Sequence, residues 1–301
     1  MQFGRRAAVM VALTVLAAGL AGCSKPAGID GKLANTWPVL PSPVSFQPAA
    51  NVCHATPLAE TGPRSAYRPV DCARPHLTET FYVGTFPATT PGTEPPTRTS
   101  AAHKAAFATC DTQARAFLGQ DFRYGRLWLA VVVPSSPNWS GGARWFRCEL
   151  GQVADVEDFG DIISRTGTLA GALKTPTSPL LLTCYQTTAT PVGAIKAMDP
   201  IACAKPHNSE FVGAYIAAPQ KYPTLPADWD RLHTSCRTKV ATFVGVPNDA
   251  NLKYRTGTVA VPNPQEDWNG GNLGVRCYLY VNTAKFTRSL RGAGPQLLPE
   301  R

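Results

Sequence analysis

Cys72-Ala73-Arg74-Pro75-His76-Leu77-Thr78-Glu79 and Cys203-Ala204-Lys205-Pro206-His207-Asn208-Ser209-Glu210 are one phrase written twice, and their recurrence decides how the rest of the chain is read. Working outward, Cys53-His54-Ala55-Thr56 matches Cys184-Tyr185-Gln186-Thr187 at the same distance upstream. Downstream, Cys110-x-Thr112 with Phe117-Leu118-Gly119 matches Cys236-x-Thr238 with Phe243-Val244-Gly245. Trp139-Ser140-Gly141-Gly142 before Arg147-Cys148 matches Trp268-Asn269-Gly270-Gly271 before Arg276-Cys277. The tail Thr168-Leu169-Ala170-Gly171-Ala172 matches Ser289-Leu290-Arg291-Gly292-Ala293. The cysteine gaps are 19, 38 and 38 residues in the first set and 19, 33 and 41 in the second. A tandem duplication accounts for the pattern economically.

Eight cysteines thus fall into two sets: Cys53, Cys72, Cys110 and Cys148, then Cys184, Cys203, Cys236 and Cys277. An even set in an exported chain reads as disulfides. No Cys-x-x-Cys pair occurs, so zinc and other metals are not expected. Four cysteines allow three pairings per copy; the expectation adopted is Cys53 with Cys72 and Cys110 with Cys148, repeated as Cys184 with Cys203 and Cys236 with Cys277. The first bridge would tie neighbouring strands and the second would pin a helix to the last strand.

Each copy carries one helical pattern: Phe107, Cys110, Ala114, Phe117 and Leu118, then Trp229, Leu232, Cys236, Val240 and Phe243. Gly119 and Gly245 are placed to end these helices in the left-handed conformation, and Asp228 reads as an N-cap. The short apolar runs 127–133, 180–184, 211–216 and 274–281 read as strands. Pro-dense stretches 89–99 and 219–226 read as matching loops. The expectation is an α+β fold of two tandem, homologous, disulfide-stapled domains. Each is a small, mostly antiparallel sheet with one helix, over residues 49–174 and 175–295.

The ninth cysteine, Cys23, stands outside this pattern. Arg5 and Arg6 precede an apolar run from Ala7 to Leu20 that is too short to span a bilayer and reads as an export signal, residues 1–22. The signal ends in Leu20-Ala21-Gly22-Cys23, which resembles a bacterial lipobox. Cys23 is therefore the expected lipidation site and residues 23–48 a tether. The expected location is the extracytoplasmic face of the cell membrane, with the membrane itself as a partner through the lipid. Losing the signal removes two of 29 basic residues and none of 20 acidic ones, leaving a mature charge of +7. No basic block with interleaved aromatics appears, so no nucleic-acid partner is expected.

In order, Cys-x-x-Thr, Cys-x-x-Pro-His-x-x-Glu, a helix cysteine, and Trp-x-x-Gly before a last cysteine resemble the septum-formation family domain of actinobacterial lipoproteins and membrane proteins. The resemblance covers nearly all of Ala50 to Gly292, as two copies. It implies a link to cell division or the envelope, and carries over mainly structure. An arginine often follows the Trp-x-x-Gly glycine in that family; Arg144 fills the place in the first copy, and Leu273 departs from it in the second.

Three chemistries are weighed. His76 or His207 with Glu79 or Glu210 has the composition of a base and its orienting partner. No nucleophile stands at fixed spacing from either pair, and a hydrogen-bonded corner beside the disulfide explains the repeat equally. A metal site built from His54, His76, His103, His207 and His233 is disfavoured, because His54 matches Tyr185 and His103 matches Trp229. Trp139 and Trp268, each beside a Gly-Gly pair, are candidates for stacking on a sugar of the wall, against the alternative of core tryptophans covering a disulfide. The reading adopted has no catalytic residues and no cofactor: a binding or scaffolding module for a wall polymer or envelope division proteins. Its candidate binding residues are His76, Glu79, Trp139, His207, Glu210 and Trp268, and its binding site is expected in the cleft between the copies. The alternative is a wall-modifying hydrolase using the His and Glu pairs.

Overall fold

In the computed structural model, residues 45–155, 161–190, 194–283 and 285–300 are described. The export signal, Cys23 and the tether up to residue 44 lie outside them. Residues 45–301 form one compact unit. No described helix is long and apolar enough to cross a membrane.

The first half contributes strands β1 (Val52–His54), β2 (Thr61–Gly62), β3 (Pro69–Val70), β4 (Thr78–Thr85), β5 (Leu127–Pro134) and β6 (Trp145–Gln152), with helices α1 (Ala101–Leu118) and α2 (Ser136–Ser140). The second contributes β7 (Cys184–Ala189), β8 (Ile195–Ile201), β9 (Ser209–Ile216), β10 (Gly257–Pro262) and β11 (Gly274–Tyr280), with α3 (Pro226–Val244), α4 (Leu252–Arg255) and α5 (Gln265–Asn269). The first sheet runs β2-β5-β6-β4-β1-β3 and the second β10-β11-β9-β7-β8. Apart from β2, which pairs in parallel with β5, the two orders correspond strand for strand and all pairings are antiparallel. Even the irregularity repeats. The register shifts between Thr80 and Tyr82 on β4 and between Gly213 and Phe211 on β9, so Phe81 and Val212 are the extra residues, each beside a bridged cysteine on the partner strand. The fold is α+β with two sheet-bearing halves, as the sequence indicates.

Each long helix lies against its sheet through a face set by helical spacing. Ala106, Phe107, Cys110, Ala114 and Leu118 are buried on α1, and Leu232, Cys236, Val240 and Phe243 on α3. Gly119 and Gly245 close these helices, both at φ 82°. The second helix starts two residues before Asp228. That carboxylate accepts hydrogen bonds from the Thr224 and Leu225 N–H groups, so it caps from the third helical position rather than serving as the N-cap.

The four disulfides are Cys53–Cys72, Cys110–Cys148, Cys184–Cys203 and Cys236–Cys277. In each half the longer bridge joins the helix to the last strand, β6 or β11.

The run 180–184 is not a strand along its length. β7 starts only at Cys184. Leu180 accepts a hydrogen bond from Arg126 N–H at 2.8 Å, and Leu182 N–H donates to Tyr124 O at 2.9 Å. With Leu180 and Leu182 buried, this segment staples the halves together. A junction cluster of Val153, Leu182, Tyr185, Met198, Phe211 and Tyr278 lies apart from the two helix-facing cores.

Candidate functional site

The repeated His-x-x-Glu phrase forms a closed corner in both halves. After each proline the histidine ring turns back, and its Nδ1–H donates to the carbonyl two residues earlier: Arg74 O for His76 and Lys205 O for His207, each at 2.8 Å. The histidine backbones pair with Arg165 and Phe286. Three residues further along the strand, Glu79 accepts from Leu169 N–H at 2.6 Å and from the Thr168 hydroxyl. Glu210 accepts from Leu290 N–H at 2.8 Å and from the Ser289 hydroxyl. Two residues on, the Gly171 and Gly292 N–H groups donate to Phe117 O and Phe243 O, carbonyls at the helix C-terminus. Carboxylate and helix end thus clamp the same tail segment. His76, Glu79, His207 and Glu210 are 1, 2, 0 and 3 % exposed, packed into the interior beside the disulfides. Burial pushes the Glu210 carboxyl above its usual range, opposed by the Ser289 and Leu290 hydrogen bonds.

The histidines do not converge on a metal. Among the described residues, the groups with ligand-distance atoms are Cys53, His76 and Glu79, and Cys184, Cys203 and Glu210. Their sulfurs are tied up in disulfides and offer no thiolate.

Trp139 and Trp268 are 1 and 2 % exposed. Their indole N–H groups donate to Gly92 O at 3.3 Å and Gln220 O at 2.9 Å, carbonyls in the loop that leads into each long helix. The indoles therefore hold those loops and present no free face to a sugar. Arg144 stacks over Trp139 at 4.0 Å and donates to the carbonyls of Trp139 and Ala143, whereas Leu273 packs into the second core. The arginine is one solution to packing this turn and leucine another.

On the sheet face away from α1, the first half buries a polar network. His54 Nε2–H donates to Thr80 Oγ1 at 2.9 Å, and the Thr80 hydroxyl donates to Glu149 Oε1 at 3.0 Å. Arg147 Nη2 stands 3.2 Å from the same carboxylate. Burial, helped by the Arg147 and His76 charges, lowers His54 to about 4, so its ring is neutral at pH 7. Burial raises the Glu149 carboxyl, while Arg147 and Thr80 pull it back. Phe46 and Tyr67 pack over this network, 4.9 Å apart, together with Trp145.

One accessible concave surface, of about 650 Å³, lies on the second half and is lined by Met198, Trp229, His233 and Tyr280; another lies where the halves meet. Arg98, just before α1, donates to Asp267 on α5 at 2.6 Å and to Glu60 at 2.5 Å. Around this clasp open a cavity of about 120 Å³, reaching His103, Phe107 and Trp128, and a groove of about 690 Å³ lined by Trp128, Gln265, Glu266 and Asn269. A third hollow of about 580 Å³ adjoins at Asn269 and carries Lys104 and Lys221. Burial raises the Asp267 carboxyl to about 6; Arg98 opposes the shift, and Glu266 and Glu60 add to it. Burial and the Arg98 charge lower His103 to about 4.

Buried arginines fix the junction below. Arg123 grips Asp111 through two bonds, 2.9 and 3.0 Å, and reaches Asn272 Oδ1 at 2.9 Å. Arg276 Nε–H donates to Arg123 O at 3.1 Å. Gly274 is required here, because a Cβ would meet Arg123 Nε at 2.1 Å.

None of Arg98, Trp128, Glu60 or Asp267 is among the residues singled out from sequence. Matching the copies selects what the halves share, and these residues stand where they differ: Trp128 sits opposite Gly151 just as Gly257 sits opposite Tyr280. The usable signal was the departures from the repeat.

A profile of a family described as "Septum formation" matches residues 50–277, about three quarters of the chain, in one span across both halves. Neither the curated proteins nor the solved structures contain a match to the chain. With the match reaching from β1 into the last strand, β11, and including all eight bridged cysteines, the chain belongs to the septum-formation family.

Proposed function

We propose that this protein is a non-enzymatic lipoprotein of the cell envelope, a binding or scaffolding module acting in septum formation or wall processes, whose working surface is the cleft between its two halves. The observation that carries the reading is the division between buried and open chemistry. The repeated His and Glu side chains are buried, each glutamate held by a backbone N–H and a hydroxyl and each histidine by one backbone carbonyl through Nδ1, its Nε2 having no hydrogen-bond partner among the described residues. At the junction, carboxylates, amides and a half-buried tryptophan line an open groove. A concave surface with a few convergent polar groups is the usual form of a ligand site. Lipidation at Cys23 and a tether over residues 23–48 would hold this surface outside the cytoplasmic membrane. Tandem duplication followed by divergence of the outer faces would produce one cleft from two similar units, which accounts for matched scaffolds around a site that occurs once.

A pulldown using the full chain, with wall fragments and envelope division proteins as prey, tests the reading. Specific recovery that is lost when Asp267 is changed to Ala supports it; recovery no better than a scrambled control overturns it. Cys23→Ala is expected to release the protein from membranes, and continued retention in the detergent-soluble membrane fraction contradicts the anchor.

A further inference from the structure

We propose that the open edge of β10 is a peptide-binding site, taking an extended, apolar segment of a partner protein as one added strand. This goes beyond the junction cleft and does not rest on it. The two halves differ at this edge, and the difference points to the occupant. In the first half the outer edge of β5 is covered by the chain's own extended segment, β2. There Val133 N–H donates to Glu60 O at 3.0 Å, and Thr61 and Gly62 pair in parallel with Val133 and Pro134. In the second sheet β10 lies outside β11 as β5 lies outside β6, and no described segment pairs with its outer edge. The scaffold has a seat for one more strand, taken in one half and open in the other.

The register says which backbone groups face out. Asn263 N–H donates to Gly274 O across the β10–β11 ladder, so alternation turns the amides of Thr258 and Ala260 away from β11. The Thr258 carbonyl takes a hydrogen bond from His233, which leaves the Thr258 N–H and both Ala260 groups for an added ladder. Pro262 stands where the first half has Val133 and has no N–H to offer, so the added strand ends before it.

Side chains complete the seat. The 650 Å³ groove follows β10 from Gly257 to Pro262. Ile195 and Met198 of β8 pack on the Val259 side of the sheet, and Trp229 of α3 packs on the Ala260 side, with His233 one turn along. An extended peptide presents alternate side chains to two such walls, and its main chain to the edge between them. Walls on both faces admit a single strand and obstruct a second sheet, so a peptide segment fits where another copy's β10 does not. Lys196 lines the groove and no described carboxylate does, while Arg237 and Asp230, which both act on His233 from α3, oppose each other in sign. An occupant bearing Asp or Glu is therefore favoured over one bearing Lys or Arg.

The test is selection from a phage library of random dodecapeptides on the full chain, purified in detergent, followed by fluorescence anisotropy of the most enriched peptide made synthetically. Enriched peptides are expected to alternate apolar residues and to be poor in Lys and Arg. Trp229→Ala and Ile195→Asp should each weaken binding about tenfold, and Lys196→Glu severalfold. N-methylation of every second peptide amide should abolish binding in one of the two alternate patterns and spare it in the other, because a strand turns one edge to β10. If Trp229→Ala does not fold, the two β8 variants decide the location alone. No enriched peptide, binding that survives both methylation patterns, or binding untouched by the groove variants overturns the proposal. A dimer that Ile195→Asp abolishes, or peptide binding gained only after the tether is cleaved, would give the groove to a second copy or to the tether, and either overturns it as well.

Discussion

The two halves share a scaffold and differ on the sheet face turned away from the helix. In the first half that face carries His54, Thr80 and Glu149; at the corresponding strand positions the second carries Tyr185, Phe211 and Tyr278, with Arg147 and Arg276 in common. The aromatic face packs into the junction cluster, with Tyr124 of the first half edge-on to Phe211 at 5.3 Å. The polar face is covered by Phe46, from the chain that leads into the domain, and by Tyr67, from the link between β2 and β3. What stays constant is therefore what holds each unit together: the disulfides, the clamped tail and the tryptophan turn. What varies is what each unit faces. Where that neighbour is the other half, the surface is hydrophobic and closely packed; where it is a short segment of chain, hydrogen bonds take over.

If the scaffolds are equivalent, damaging them should cost the same in either half. The largest effect is expected from the helix-to-strand bridges: Cys110→Ala with Cys148→Ala, or Cys236→Ala with Cys277→Ala, which open loops of 38 and 41 residues. Each pair should cost about 4 kcal/mol in the chain-entropy model, measured by urea unfolding. A difference between the pairs of more than half that amount would break the equivalence.

The next effect should separate the halves. The unfolded chain protonates His54 near 6.5, but the folded chain refuses the proton until about 4, so stability is lost as pH falls through this window. His54→Gln should remove up to about 3 kcal/mol of that acid sensitivity, read as the change in unfolding free energy between pH 7 and pH 4. Its counterpart Tyr185 has no such titration to lose, so Tyr185→Phe should leave the acid slope unchanged. An unchanged slope in His54→Gln would mean that the ring is solvated and the network open.

Glu79→Gln and Glu210→Gln each weaken a charge-assisted bond to a tail N–H and should cost about 2 kcal/mol apiece. The smallest contrast is at the helix ends. Gly119→Ala and Gly245→Ala both put a side chain at φ 82°, at a cost of about 1–2 kcal/mol. Gly119→Ala should cost more, because its Cβ would come within 3.0 Å of Lys174, whereas at Gly245 the nearest atom is the Gly292 Cα at 4.0 Å.

Much of the scaffold was legible because cysteines, glycines and tryptophans constrain backbone locally. Cys110 on a helical stripe ending at Gly119 suffices to locate α1 and to place one end of its bridge. The run at Leu180 misled because buried apolar residues of a strand and of an inter-half staple look alike in sequence. The junction was not legible. Arg98 contacts Asp267 across 169 positions, and Trp128 gains its meaning only when α5 is brought beside it. The repeated His and Glu residues drew attention as chemistry, and their burial turns them into fasteners.

Wall-fragment recovery by the full chain, compared across three forms, tests the central division most directly: wild type, His76→Ala with His207→Ala, and Trp128→Ala with Asp267→Ala, each at a temperature where it is folded. The account predicts recovery by wild type and by the histidine variant, and loss in the junction variant. Recovery that depends on the histidines and survives the junction changes would contradict it.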